Sequence, residues 1–324
     1  MSRFDRILTD QALDALWAMT DGSDNWWKDL LRLWAPNGTS SRDQGLRLAV
    51  RRNYLNFYRM GQSVAKVGFT RTGQPYAEVH IKYASDNCEE AGTYNVRLCE
   101  GRFKNGTEEI QLFYRPQETV ARWCSQAAKE NKGKEKFFVD GVVSENAGVI
   151  DLEMGLPAYE GQRLTEDGKK RAPRIDLVAL ERKSTSLSIV FWEAKLINDS
   201  RLVAKETPKV LDQLEDYRKY LKDDQRRVAI CNAYRSNCSM LAKLHEMASK
   251  LNPAIAPLGA DVISVAMTAD ALDVDIAPRI LIYDNGCATS DWPRHLDRLR
   301  GEEFGQPVPC YVVKEDRRLP EIKS

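Results

Sequence analysis

Three charged residues stand inside strand-like runs that are otherwise apolar. The segment Ser188-Ile-Val-Phe-Trp-Glu-Ala-Lys-Leu196 is apolar on both alternating faces through Trp192, the pattern of a central strand covered on both sides. Glu193 and Lys195 follow two residues apart, so they point to one face. Upstream, in Pro173-Arg-Ile-Asp-Leu-Val-Ala-Leu180, Asp176 shares a face with Val178 and Leu180. Buried charge is costly unless it is paired or bound to an ion, so this trio needs a reason.

Hydrolysis of a phosphodiester supplies one. Magnesium prefers octahedral oxygen coordination and usually takes one or two carboxylates, with water and substrate filling the rest. Held there, it polarises the phosphate and lowers the pKa of a bound water. Asp176 and Glu193 would supply the carboxylates and the Ala194 carbonyl a further oxygen. Lys195 would stand near the attacking water or the scissile phosphate, a point charge stabilising the transition state. Manganese would substitute for magnesium.

These residues must be held by a hairpin. Glu181–Ser186 contains Lys183, Ser184 and Ser186 and reads as its turn, and antiparallel pairing across it brings Asp176 level with Glu193 and Lys195. A helix is expected over 207–222, capped by Thr207 with Pro208 in its first turn. Its buried stripe is Val210, Leu214, Tyr217 and Leu221. Gln213 and Tyr217 are four apart and face the same end of the sheet.

Asp176 followed by Glu193-Ala194-Lys195 resembles the D…(D/E)-x-K signature of the PD-(D/E)XK nuclease superfamily. Gln213-Leu-Glu-Asp-Tyr217 is similar to the Q-x-x-x-Y motif of its RecB-like members. The resemblance covers about residues 134–235, and Arg174-Ile175 stands where the superfamily name has proline. It implies a restriction-endonuclease-like mixed sheet flanked by helices, a magnesium-dependent nuclease acting on DNA in the first instance, and Gln213 and Tyr217 as supporting residues. It also implies an acid on the helix before the first core strand. Glu135, one turn before Phe138 and Val139, is the better candidate and Glu153 the second, since Glu153 lies opposite Ile150, Leu152 and Met154 and reads as structural. Stand-alone members serve restriction, repair or phage defence. The competing expectation is a catalytically silent nucleic-acid-binding or scaffold protein on the same fold.

The remaining order over 134–324 is expected as helix (134–146), strand (148–156), the two site strands, the 207–222 helix, strand (226–233), helix (237–250) and short strands at 261–266, 279–284 and 308–314. The basic run Lys169, Lys170, Arg171 and Arg174 is a candidate contact for the phosphate backbone. Asn131–Lys136 reads as a hinge. Residues 1–115 are expected to form a separate α+β domain for recognition, dimerisation or regulation, and 116–324 the nuclease domain. Helical spacing covers 10–19 and 24–34, the second rich in tryptophan (Trp26, Trp27, Trp34). Strands at Leu46–Val50, Tyr54–Tyr58, Ser63–Phe69, Tyr76–Tyr83 and Tyr94–Cys99 argue an antiparallel meander, with one more at 103–115 and a helix from Pro116 to about Asn131. Arg51, Arg52 and Arg59 in the meander could extend that basic surface, but read first as solvated charges.

The bulk composition agrees and excludes little else. Among 324 residues, seven cysteines with no C-x-x-C pair give neither a disulfide framework nor a zinc ribbon. His80, His245 and His295 lie far apart. Net charge of +1 means that a nucleic-acid partner must be met by a local basic surface. No apolar stretch approaches the ~20 residues of a membrane span, and no signal peptide is visible. A cytoplasmic protein without a membrane partner is expected, with a homodimer or a partner protein encoded nearby left open.

Overall fold

The computed structural model describes residues 4–39, 45–85, 92–129, 135–157, 159, 174–183, 186–203, 207–268, 271–301 and 307–320. It is a mixed α/β protein built around two sheets. The chain opens with α1 (Asp10–Asp21) and α2 (Trp26–Arg32), capped by the side chains of Thr9 and Asn25. The first sheet then follows as a seven-strand meander: β1 (Arg47–Arg51), β2 (Tyr54–Arg59), β3 (Gln62–Phe69), β4 (Pro75–His80), β5 (Asn95–Cys99), β6 (Arg102–Asn105) and β7 (Glu108–Phe113). Every neighbouring pair is antiparallel. The short α3 (Ile81–Ala84) ends the run that the sequence reads as strand through Tyr83, and the single strand expected at 103–115 is the hairpin β6–β7.

The β2–β3 turn fixes where the two halves of the chain meet. Met60 and Gly61 both have positive φ, 47° and 70°, as tight hairpin turns require. A Cβ on Gly61 would come within 2.6 Å of Lys136 Cβ, so only glycine lets this turn lie against the start of α5 (Glu135–Glu145).

The helix α4 (Glu118–Lys129) packs on α2, α3, β2 and β3, beside the meander. Trp26, Trp27 and Trp34 are core residues, with Trp27 edge-on to Phe57.

The second sheet has the order β13-β12-β10-β9-β8. β8 (Val149–Gly155), β9 (Arg174–Arg182) and β10 (Leu187–Leu196) are antiparallel neighbours. β12 (Arg279–Tyr283) runs parallel to β10, β13 (Cys310–Val313) parallel to β12, and β11 (Leu272–Val274) adds a parallel pairing on β10. β10 is buried from Leu187 to Lys195, as its unbroken apolar run requires. Phe138 and Val142 of α5 cover one face, against Leu177, Val190 and Trp192.

α6 (Lys209–Leu221) buries Val210, Leu214, Tyr217 and Leu221 as expected. It starts without a side-chain cap: Pro208 holds the cap position, and Thr207 lies outside the helix.

Two expected strands are helices. Residues 226–233 belong to α7 (Asp224–Leu251), which continues through the expected 237–250 helix, and 261–266 lie within α8 (Ala260–Met267). In α7, Asp223 caps Arg226 N, Val228 is exposed, and burial falls on Ile230, Tyr234, Cys238, Leu241, Leu244 and Ala248, a helical spacing. In α8 only Val262 and Val265 are buried. The apolar, β-branched composition suggested strands; amphipathic packing decides otherwise. The helix α9 (Trp292–Arg300) completes the set.

One hydrophobic cluster spans the two sheets. α7 packs on α1, α2, β1 and β8, and β1 lies against β8. No helix among the described residues is long and apolar enough to cross a membrane.

Candidate active site

The β9–β10 register places Leu177 opposite Trp192, which carries Asp176 level with Glu193. The Asp176 carboxylate accepts from Ala194 N at 2.8 Å, clipping the two strand ends together. On the other side, β8 places Leu152 opposite Leu177 and Met154 opposite Ile175, so Glu153 falls level with Asp176. Three adjacent strands therefore contribute one acid each to a row.

Lys195 gathers these groups. Its Nζ pairs with Glu193, lies 3.6 Å from Asp176 Oδ2 and 3.5 Å from Glu135 Oε2, and donates to the Ala194 carbonyl at 2.7 Å. The carbonyl expected as a metal ligand thus accepts from the lysine. Glu193 and Lys195 are almost fully buried, at 2% and 1% exposure, whereas the Asp176 and Glu135 side chains keep 19% and 26%. The mouth of the site is formed by the latter two.

Gln213 donates to Glu193 Oε2 at 2.8 Å and to the Arg174 carbonyl at 2.6 Å, joining α6 to both site strands. Tyr217 is deeper: its hydroxyl donates to the Met154 carbonyl at 3.0 Å. It supports the β8 backbone beside Glu153. Tyr217→Phe removes this buried bond and is expected to lower stability by about 1–3 kcal/mol, read by urea denaturation.

The sequence missed Arg201. It follows β10, pairs with Asp199, and reaches Glu135 Oε2 at 3.2 Å. The signal was the Asn-Asp-Ser-Arg run directly after the site strand, where two opposite charges two apart resemble ordinary loop charges. Glu153, expected as structural, has φ of 48° at the position level with Asp176. Lys169, Lys170 and Arg171 lie outside the described residues; Arg174 is exposed at the start of β9.

The acids crowd one another. Burial, then the Asp176 charge, push the Glu193 carboxyl up to about 8, against the opposing pull of Lys195. Burial raises Glu135 to about 6, with Asp176 adding to the shift while Lys195 and Arg201 oppose it. Burial and Asp176 also raise Glu153.

Because the folded Glu193 holds its proton more tightly than the unfolded chain, its contribution to stability is fully present below the unfolded value. It is lost as pH rises through about 8. In chelator, the melting temperature is expected to fall between about pH 5 and pH 9, and Glu193→Gln to flatten that fall.

The donor set fits a hard divalent cation. It offers carboxylate oxygens only, with more negative charge than Lys195 and Arg201 offset, and a dication would relieve the crowding that raises Glu193. Among the described residues, no three His, Cys, Asp or Glu side chains converge tightly enough to form a metal cage. Asp176 and Glu193 are the residues that would hold such an ion, with water and substrate filling the remaining positions. No family model, no curated protein and no solved structure matches the chain.

Proposed function

We propose that this chain is a metal-dependent nuclease of the PD-(D/E)XK type, with a restriction-endonuclease-like second sheet, that hydrolyses phosphodiester bonds of DNA in a cytoplasmic restriction or phage-defence setting. The observation that carries the reading is Lys195, held almost fully buried within 3.6 Å of carboxylates from β9, β10 and α5. A structural ion pair needs one carboxylate; three around one ammonium suit a site that handles a dication and a phosphate.

Asp176 and Glu193 would hold the magnesium, which when bound polarises the phosphate and acidifies a water. Gln213 fixes the free oxygen of Glu193, so that its other oxygen faces Lys195. Glu135 and Asp176, at the mouth, hold the ammonium just beneath it, where it would orient the attacking water and offset charge developing on the phosphate oxygens.

The test is incubation with supercoiled plasmid and with labelled single- and double-stranded DNA and RNA, in magnesium, manganese or chelator, beside Asp176→Ala. Metal-dependent cleavage lost in the variant is the expected result. Absence of cleavage on every substrate, with no magnesium or manganese binding by calorimetry, would replace this reading with a silent nucleic-acid-binding or scaffold protein.

A further inference from the structure

Beside the acid row lies a cleft of about 550 Å³, walled by the β1–β2–β3 region of the meander on one side and by β8, the start of β9 and the start of α5 on the other. Arg51, Arg52, Tyr54, Tyr58, Glu153 and Arg174 line it. Arg6 and Lys136 add to the cationic wall, so five cations face one acid.

The cleft is built, not incidental. Arg51 and Arg6 are buried and anchored on Asp151, and Arg51 also donates to the Leu152 carbonyl. Arg51 thereby corrects the expectation of a solvated arginine in the meander. So does Arg59, which is buried and donates to the Gly45 carbonyl at 3.1 Å. Arg52 and Arg174 are exposed at the rim. The single acid is Glu153, whose left-handed backbone is a conformation that non-glycine residues adopt only where the surroundings hold it. Glu153 lines the cleft and is level with Asp176, so the cleft borders the acid row at that residue.

We propose that this cleft binds one unpaired nucleotide of the nucleic-acid strand next to the phosphate presented to Asp176 and Glu193, an inference that rests on the nuclease reading above. Arg52, which also pairs with Asp5 at 3.7 Å, and Arg174 contact the strand's phosphates at the rim, Arg51 and Arg6 supply fixed positive charge beneath, and Tyr54, with Lys66 over one face of its ring, offers the other face to the base. Its volume lies in the range of small-ligand pockets, roughly 300–1,000 Å³, the size of a single nucleotide and not of a length of duplex. Stacking on an aromatic face with cations along the backbone is how single strands are held without sequence readout. The meander thereby becomes the element that selects single-stranded substrate.

Binding measured in chelator keeps this separate from turnover. Fluorescence anisotropy of the full chain with a labelled oligothymidylate of about twelve nucleotides, its duplex, and thymidine monophosphate as competitor supplies the arms. The single strand is expected to bind at least about ten-fold tighter than the duplex. Arg52→Gln combined with Arg174→Gln should weaken single-strand binding about ten-fold and reduce the slope of log K against log salt by about 1.4. Tyr54→Ala should weaken it about ten-fold with the slope unchanged.

Wild-type affinity in both variants, equal binding of duplex and single strand, or competition by the free nucleotide at equal concentration would each overturn the proposal. A protein that binds single strands through these residues yet never cleaves would leave the cleft standing and remove the nuclease reading.

Discussion

Lys195→Ala is expected to reduce metal-dependent cleavage by about 10²–10³-fold, the scale on which one preorganised electrostatic group contributes to a transition state. The same change removes the only cation that touches Glu193, Asp176 and Glu135 together among the described residues. With the ammonium gone, three carboxylates face one another at the end of a buried strand. Breaking a buried ion pair by deleting one partner costs about 3–5 kcal/mol, and here Glu193, already pushed up to about 8, takes a proton to limit the loss. The destabilisation in chelator should therefore be larger above pH 8 than near pH 5.

Lys195→Arg is not a rescue. The pocket holds a compact point charge approached from three sides, and a planar guanidinium does not match that arrangement. Single-turnover cleavage and thermal melts at the two pH values read both effects. Cleavage by Lys195→Ala at the wild-type rate would remove the lysine from the mechanism.

Asp151→Ala should be the most damaging substitution away from the acid row. Asp151 is buried, accepts from Arg6 Nε at 2.9 Å and from the Tyr234 hydroxyl at 3.1 Å, and is paired with Arg51. The two arginines hold its carboxyl below the usual carboxylate range in spite of burial. Its contribution to stability is thus present at neutral pH and lost only as pH falls through that lowered value.

Deleting it leaves two buried guanidiniums, which do not deprotonate. A loss of about 3–5 kcal/mol is expected, a large part of the roughly 5–15 kcal/mol that holds a typical domain folded. Guanidinium denaturation measures it, and a midpoint equal to wild type would show that the network holds nothing. Because Arg6 and Arg51 belong to the N-terminal segment and Asp151 to β8, the same variant should loosen the seam between the two sheets.

The site was legible because its charges break a pattern. Asp176, Glu193 and Lys195 interrupt apolar strands, and the hairpin that aligns them follows from two strands and a short turn. Glu135 and Gln213 were reached through the family resemblance, which asks for an acid on the helix before the first core strand and for a Q-x-x-x-Y helix after the site strand; spacing alone does not single them out. Glu153 was not legible, because alternation assigned it to the opposite face and nothing local announces a left-handed residue within a strand. Arg6, Arg51 and Asp151 were not, because their partners lie about a hundred residues or more away in sequence. The meander was legible from its turns, whereas α7 was hidden by Val228-Ala-Ile-Cys, four residues with strand composition inside a helical spacing. A boundary near residue 115 suits the sequence, but the packing of α4 with the meander and of α7 with both sheets follows from tertiary contacts that local composition does not carry.

The position of α7 has a consequence for biosynthesis. Trp26, Trp27, Leu30 and Leu31 belong to a core cluster that also contains Tyr234, Cys238, Met240 and Leu244. The ribosome extends chains at about 5–20 residues per second, so α1 and α2 emerge on the order of ten seconds before their covering helix. During that interval a tryptophan-rich face waits without its partner, and the first sheet reaches its final packing only after most of the second has been translated. Nascent chains stalled between α4 and α7 should bind a hydrophobic dye or a holdase chaperone, and release it once Leu251 has cleared the exit tunnel.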